Sequence, residues 1–193
     1  MNGFMLIFFW VNKMIYNNNE TLKLYKSYYN INKAIEKKEL YRINHGVYST
    51  TPKPDNILVA CLKHRNAIIT LNTAFYLYNL SNKLDNKIYL ACTRNADKFN
   101  DDFVEQMCME KDILNIGKTT IDYQNRKLNI YDKERLLIEL IRKKWTMEYT
   151  YYKYIINSYR KIANTLDTNK LMDYAPNFYN GKSILDTIMK EVF

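Results

Sequence analysis

With 193 residues, the chain carries 29 basic and 20 acidic side chains, for a net charge of +9. Apolar residues make up 47% and glycine plus proline only seven positions. That excludes wholesale disorder, collagen and low-complexity linkers, and it leaves material for one medium domain or two small ones. Three scattered cysteines (Cys61, Cys92, Cys108) exclude a disulfide framework and a cysteine-based zinc site, and point to a reducing cytoplasm. His45 and His64 alone leave little for metal or triad chemistry.

A cationic surface attracts polyanions, nucleic acid first, by steering and counterion release. The plainer source of the same composition is AT-rich coding sequence, which also yields 18 tyrosines. The chain opens on Gly3 to Val11, GFMLIFFWV, nine apolar residues. A spanning helix needs about 20, and no basic residue precedes the run as a secretory signal requires. It reads as a buried first element or as a start-site extension covering residues 1–13, with Met5 or Met14 as the start. No other segment is long enough to span a bilayer, so the expectation is a cytoplasmic protein with no membrane partner.

Thr21 to Glu39 has helical periodicity, with Leu24, Tyr28, Ile31, Ala34 and Ile35 on the apolar side. Ser27 is a ready N-cap, so one long helix and two short ones are both open. Leu40–Ile43 and Val47–Ser49 flank Asn44-His45-Gly46, a hairpin signal, and Tyr48 is expected to close the hairpin onto the helix. A helix followed by a small hairpin is the back half of a winged helix-turn-helix.

Pro52 and Pro54 mark the expected boundary, giving domains 1–52 and 53–193. The first holds seven basic and three acidic residues, the second 22 and 17, so charge density is higher in the small unit. After the boundary the pattern reads helix (55–65), short strand or turn (67–70), helix (71–78), strand (87–92) and strand (103–109). A hairpin of 119–123 and 127–131 follows. Asp132 to Lys144 is the clearest helix, with an acid at its start and bases at its end. Helical stretches at 149–165, 170–173 and 182–192 complete an α/β (α+β) chain with a helical C-terminus. On the 149–165 stretch, Tyr152, Ile155, Ile156 and Tyr159 fit one core face.

Catalytic and cofactor motifs are missing: no G-x-G-x-x-G, Walker loop, H-E-x-x-H or G-x-S-x-G occurs. Asp101, Asp102 and Glu105 read as solvated acids, and Cys61 beside His64 as a core thiol. The expectation is a protein without catalytic residues, metal, cofactor or small-molecule substrate.

Two ordered groups of residues carry a family resemblance. Tyr29-Asn30-Ile31-Asn32-Lys33-Ala34-Ile35, then Leu40-Tyr41-Arg42-Ile43-Asn44-His45-Gly46-Val47-Tyr48, resemble the recognition helix and wing of AbiEi-type antitoxins. Ile69 to Tyr78, Ile116 to Ile121 and Ile130 to Glu139 resemble that family's later segments, in order, so the likeness spans about residues 14–193. The family pattern departs at Asn18-Asn19-Glu20, where a glycine and about eight further residues are missing, and at Lys38, which stands where the family has glycine.

The resemblance implies an antitoxin and transcriptional autorepressor of an abortive-infection operon. Its winged helix would bind its own promoter as double-stranded DNA, and its second domain would antagonise a cognate nucleotidyltransferase-like toxin. The residues expected at DNA are Tyr29, Asn30, Asn32, Lys33 and Lys37 on the helix, with Arg42 and His45 on the wing. Asparagine suits adenine, and lysine suits guanine or phosphate. Arg142, Lys143, Lys144, Lys153 and Arg160 form a weaker candidate surface for the partner or for DNA. Glu134 and Arg135 are expected to be scaffold. The alternative function is a toxin-neutralising or scaffold module without sequence-specific DNA binding. A separate helix over 21–27 favours DNA binding, and one unbroken helix over 21–39 favours the alternative.

Overall fold

The computed structural model describes residues 14–193; the apolar Gly3–Val11 run lies outside them. The chain is mixed α/β and forms two compact units that meet in sequence at Arg65 and Asn66. The first unit thus runs thirteen residues beyond the boundary expected at 52. The cause is the helix Asn56–Lys63 (α3), which packs on strands β1 (Ile15–Asn17) and β3 (Val47–Ser49). The two prolines mark a loop inside this unit.

In the first unit, β1 leads directly into α1 (Asn18–Tyr25). The Asn17 side chain accepts from the Glu20 N–H at 3.1 Å, and the Glu20 carboxylate accepts from the Asn17 N–H at 2.9 Å, a reciprocal cap. Lys26 then takes a left-handed backbone (φ +65°) and its N–H closes on the Leu22 carbonyl at 2.7 Å. Ser27 caps the next helix, α2 (Tyr28–Glu36), accepting from the Asn30 N–H at 3.2 Å. Of the two readings left open for 21–39, two short helices is the observed one.

The break shifts the helical phase, which corrects two core assignments. Leu24 and Tyr28 are exposed (56% and 53%), while Leu22 and Tyr25 are packed beside Ile31, Ala34, Leu40 and Tyr48. Periodicity counted through Lys26 put the wrong α1 residues inside. Ile31, Ala34 and Tyr48 are buried as expected, and Ile35 partly so. Strand β2 (Tyr41–Asn44) pairs antiparallel with β3, with a bulge at Ile43, and β1 takes the other edge, giving the order β1-β3-β2. Gly46 turns the hairpin at φ +73°, a conformation in which a side chain is strained.

The second unit is built on a five-stranded mixed sheet of order β6-β5-β4-β8-β7. These strands are β4 (Ile68–Ile69), β5 (Ile88–Thr93), β6 (Val104–Met109), β7 (Lys118–Tyr123) and β8 (Arg126–Tyr131). The two-residue β4 is central: it pairs antiparallel with β5 and parallel with β8. Helices α4 (Leu71–Leu77) and α5 (Lys111–Leu114) lie between strands in sequence. The C-terminal part holds α6 (Lys133–Arg142), α7 (Tyr149–Lys161), α8 (Thr168–Tyr174) and α9 (Gly181–Glu191).

The core of this unit is α6, which packs against α4, α8 and α9 and has every residue from Glu134 to Ile141 buried. Its N-cap is Asp132, which accepts from the Arg135 N–H at 2.9 Å. The apolar face expected on α7 is wholly inside: Tyr152, Ile155, Ile156 and Tyr159 have no exposed surface. Among the described residues, no helix is long and apolar enough to cross a membrane.

Candidate nucleic-acid interface

Including α3, residues 1–65 carry ten basic and four acidic side chains, while residues 66–193 carry 19 and 16. Two thirds of the net charge therefore sits on the first third of the chain. Its placement follows from the packing of α2. Ile31 and Ala34 face the core, so Tyr29, Lys33 and Lys37, spaced four residues apart, fall on the outer side with Asn32 beside them. Tyr29 is 73% exposed. No hydrogen bond or ion pair engages the side chains of Tyr29, Asn32, Lys33 or Lys37 among the described residues.

Asn30 departs from the expectation. It is exposed, but its amide nitrogen donates to the Tyr25 carbonyl at 2.8 Å and so closes the end of α1. Its position three residues after the Ser27 cap explains this: the side chain lies over the α1–α2 turn, where an orphan carbonyl needs a donor. In this arrangement one of the two amide N–H groups of Asn30 serves the turn.

The hairpin residues Arg42 and His45 line a cleft together with Tyr28, the first residue of α2. Arg42 is exposed on β2, opposite Tyr48 on β3, and its guanidinium sits 5.6 Å from the centre of the Tyr48 ring. His45 occupies the tip of the turn and is exposed; the Asn44 side chain accepts from its backbone N–H at 2.8 Å. Between the hairpin and the helix lies a concave surface of about 370 Å³. Tyr28, Arg42 and His45 line it together with Lys63 and Arg65 from the end of α3. The Tyr28 hydroxyl is fixed there by the Asn18 amide at 3.0 Å.

Lys63 and Arg65 are the residues that sequence reasoning missed. The prolines at 52 and 54 had assigned them to the other domain. The available signal was their charge at the end of a helix that begins one short loop after the hairpin. Arg42, Lys63 and Arg65 bring three side-chain cations, with His45, around one cleft that α2 borders.

Of the five residues of the weaker surface of the second unit, three have partners within that unit. Arg142 donates to both Glu139 carboxylate oxygens (2.7 and 2.9 Å) and stacks over Phe178. Lys144 pairs with Glu191, and the Arg160 Nε donates to the Glu191 carbonyl at 2.6 Å. Lys144 and Arg160 fasten the end of α6 and α7 to α9, and Arg142 ties α6 to Phe178 in the segment before α9. Lys153 lies over the Tyr149 ring at 5.6 Å, and Lys143 lines a different cavity.

Arg135 is scaffold, as expected, although its ion-pair partner is one turn along the same helix. It is fully buried, paired with Glu139 at 2.8 Å, and donates to the Ile113 and Ile116 carbonyls at 2.7 and 3.0 Å. Its guanidinium is sandwiched between the rings of Tyr131 and Phe178. Gly117 makes room for it: a Cβ there would lie 2.4 Å from the Arg135 Cβ. Glu134 instead accepts from the Asp167 N–H at 2.9 Å.

The thiol of Cys61 is pushed up to about 12, by burial first and then by the Asp55 charge, so it is a poor nucleophile at neutral pH. The phenol of Tyr25 is raised by burial and by its neighbours Tyr16 and Glu39. Among the described residues, no group of three or more His, Cys, Asp or Glu side chains is placed to hold a metal ion. No family model matches the chain, and no curated protein matches it.

Proposed function

We propose that the chain is a DNA-binding regulator of antitoxin type. In this reading α2 enters the major groove, with Lys33, Lys37, Asn32 and Tyr29 toward the duplex. The β2–β3 hairpin and the end of α3 hold the flanking phosphate backbone through Arg42, His45, Lys63 and Arg65. The second unit acts on a nucleotidyltransferase-like toxin. The observation that carries the reading is the cationic cleft between α2 and the hairpin, reached from three separate elements. The break at Lys26 supports it as well, because a separate α1 packed on α2 is what a helix-turn-helix needs to present its second helix.

One observation favours the alternative, a partner-binding module without base recognition: Asn30, a base-reading candidate, is tied to the α1–α2 turn through one of its amide N–H groups.

Fluorescence anisotropy separates the two. The full chain is titrated onto its own upstream promoter duplex and onto a scrambled duplex across a salt series. Tighter promoter binding that persists with added salt is expected. The double substitution Lys33→Ala, Lys37→Ala should lower the salt slope by about 2, since each phosphate contact contributes about 0.9. Equal, salt-sensitive binding to both duplexes, with an unchanged slope in the variant, moves the function to the alternative. The toxin half of the reading is tested on residues 66–193 alone, which should retain neutralisation of the toxin encoded beside the chain.

A further inference from the structure

Scattered along the sequence, two of the three cysteines are set side by side by the fold. Cys92 on β5 and Cys108 on β6 are direct register partners in the parallel β5–β6 pair. Neighbouring strands lie about 4.8 Å apart, and register partners turn their side chains to the same face. A disulfide needs α-carbons about 4.4–6.8 Å apart, so the backbone separation already suits one.

Two contacts show that the face is shared. Gln106 lies two positions before Cys108, on the same side of β6. Its Nε2 donates to the Cys92 Sγ at 3.2 Å. The Gln106 amide is oriented by the loop between the strands: Oε1 accepts from the Phe99 N–H at 2.9 Å, and Nε2 also donates to the Asp97 carbonyl at 3.1 Å. An N–H, not a carbonyl, therefore faces the sulfur. The second contact joins the two thiols themselves, since the Cys108 side chain hydrogen-bonds with that of Cys92.

The two sulfurs differ in access. Cys92 is buried and Cys108 is exposed. Burial pushes the Cys92 thiol up, the Gln106 N–H opposes that, and the Cys108 thiol adds to it. Cys92 is thus shielded from reagents in solvent, and Cys108 is the thiol they meet. Cys61 belongs to the first unit and is held protonated by burial. The sheet has room to adjust, because β6 is an edge strand paired with β5 alone among the described residues. It can yield the small approach of β-carbons, to about 3.8 Å, that a disulfide requires.

We propose that Cys92 and Cys108 are a reversible dithiol–disulfide site, opened to oxidation at Cys108 by a low-molecular-weight disulfide and closed by Cys92. The Cys108 thiolate attacks one sulfur of glutathione disulfide, which forms the mixed disulfide and expels one glutathione thiolate. The Cys92 thiolate then attacks the Cys108 sulfur, which closes the protein disulfide and expels the second glutathione. Two protein thiols are oxidised, one glutathione disulfide is reduced to two thiols, and the two cysteine protons pass to them. Gln106 is a positioning residue that holds the Cys92 sulfur toward its partner. The bridge clasps the edge strand to β5. The proposal is independent of whether the first unit binds DNA.

Equilibration of the full chain in mixtures of reduced and oxidised glutathione tests it, with alkylation and peptide mass spectrometry as the readout. The mixture at which half the chains are bridged gives the effective concentration of the two thiols. A Cys92–Cys108 bridge is expected, with an effective concentration at least about tenfold above that of the same chain in urea, because the fold has already brought the ends together. By the same cycle the oxidised chain unfolds at a higher urea concentration than the reduced one. Cys92→Ala should accumulate the glutathione adduct at Cys108, and Cys61→Ala should leave the bridge unchanged. An effective concentration no higher in the folded chain than in urea overturns the proposal. So does a wild-type adduct at Cys108 that never closes, or a covalent dimer joined through Cys108 in place of the bridge. These outcomes are read on the wild type and stand even if Cys92→Ala fails to fold.

Discussion

Lys33 and Lys37 on α2 and the arginines of α6 are held in contrasting ways. On α2, Lys33 and Lys37 extend from an outer face with no acidic partner among the described residues, and the neighbouring cleft gathers Arg42, Lys63 and Arg65. In the second unit several cations are paired: Arg135 and Arg142 with Glu139, Lys144 with Glu191, Lys170 with Asp132 and, at the exposed surface, Arg94 with Glu110. The basic run Arg142-Lys143-Lys144 looks like an interface in the sequence and is largely a set of internal fasteners. Between Lys33 and Lys37 on the one hand and Arg135, Arg142 and Lys144 on the other, what differs is the acid within reach, which depends on tertiary packing that no local pattern encodes.

The contrast breaks most severely at Arg135. Arg135→Ala leaves the Ile113 and Ile116 carbonyls without their donor and opens a cavity between Tyr131 and Phe178. Removing one member of such a buried network costs about 3–5 kcal/mol. Urea unfolding of residues 66–193 should show that loss. Arg142→Ala, with its side chain 33% exposed, should cost at most about 1 kcal/mol. If the two variants cost the same, the buried network is not what holds α6.

Alkaline titration sharpens the same comparison. Tyr78, Tyr89 and Tyr174 are pushed up to about 12 from the ordinary 10, by burial first and then by nearby carboxylates, Asp132 beside Tyr78 and Tyr174 and Asp85 beside Tyr89. A raised phenol means that the folded state holds its proton more tightly than the unfolded chain does. This contribution is complete below pH 10 and is lost as pH rises toward 12. All three lie in the second unit, so urea midpoints for residues 66–193 should be steady from pH 8 to 10 and then fall. Tyrosinate absorbance that rises fully by pH 10.5, before any unfolding, would contradict the raised values.

Some of this was legible in the sequence. Asp132 before an apolar run with Lys and Arg behind it marked α6, and spacing alone placed the buried face of α7. The Asn-His-Gly turn marked the β2–β3 hairpin. Three kinds of feature were not legible. Strand β1 is three residues long and is defined only by its partner β3. Leu24 and Tyr28 were misplaced because Lys26, an ordinary helix former, interrupts the helix with a left-handed turn. Lys63 and Arg65 were assigned across a proline-marked boundary that turned out to be a loop within one unit. The Asn72–Asp85 pair joins positions 13 residues apart with no motif spacing, so only the fold brings it together.

The smallest expected effect concerns Lys38, just past the end of α2. It takes φ +58°, with its N–H on the Ile35 carbonyl at 3.0 Å. A side chain in this region costs about 1–2 kcal/mol. Lys38→Gly removes that strain but gives the unfolded chain more freedom, an opposing effect of about 0.5–1 kcal/mol. The net expectation is a gain of about 0.5 kcal/mol, read as a higher urea midpoint for the first unit. Promoter affinity should stay within twofold, because the phosphate contacts are assigned to Lys33, Lys37 and the cleft. A clear loss of affinity with stability gained would add the Lys38 amine to the DNA-facing set and extend the interface past the end of α2. A loss of stability would mean that the lysine side chain supports the turn by more than its backbone strain costs.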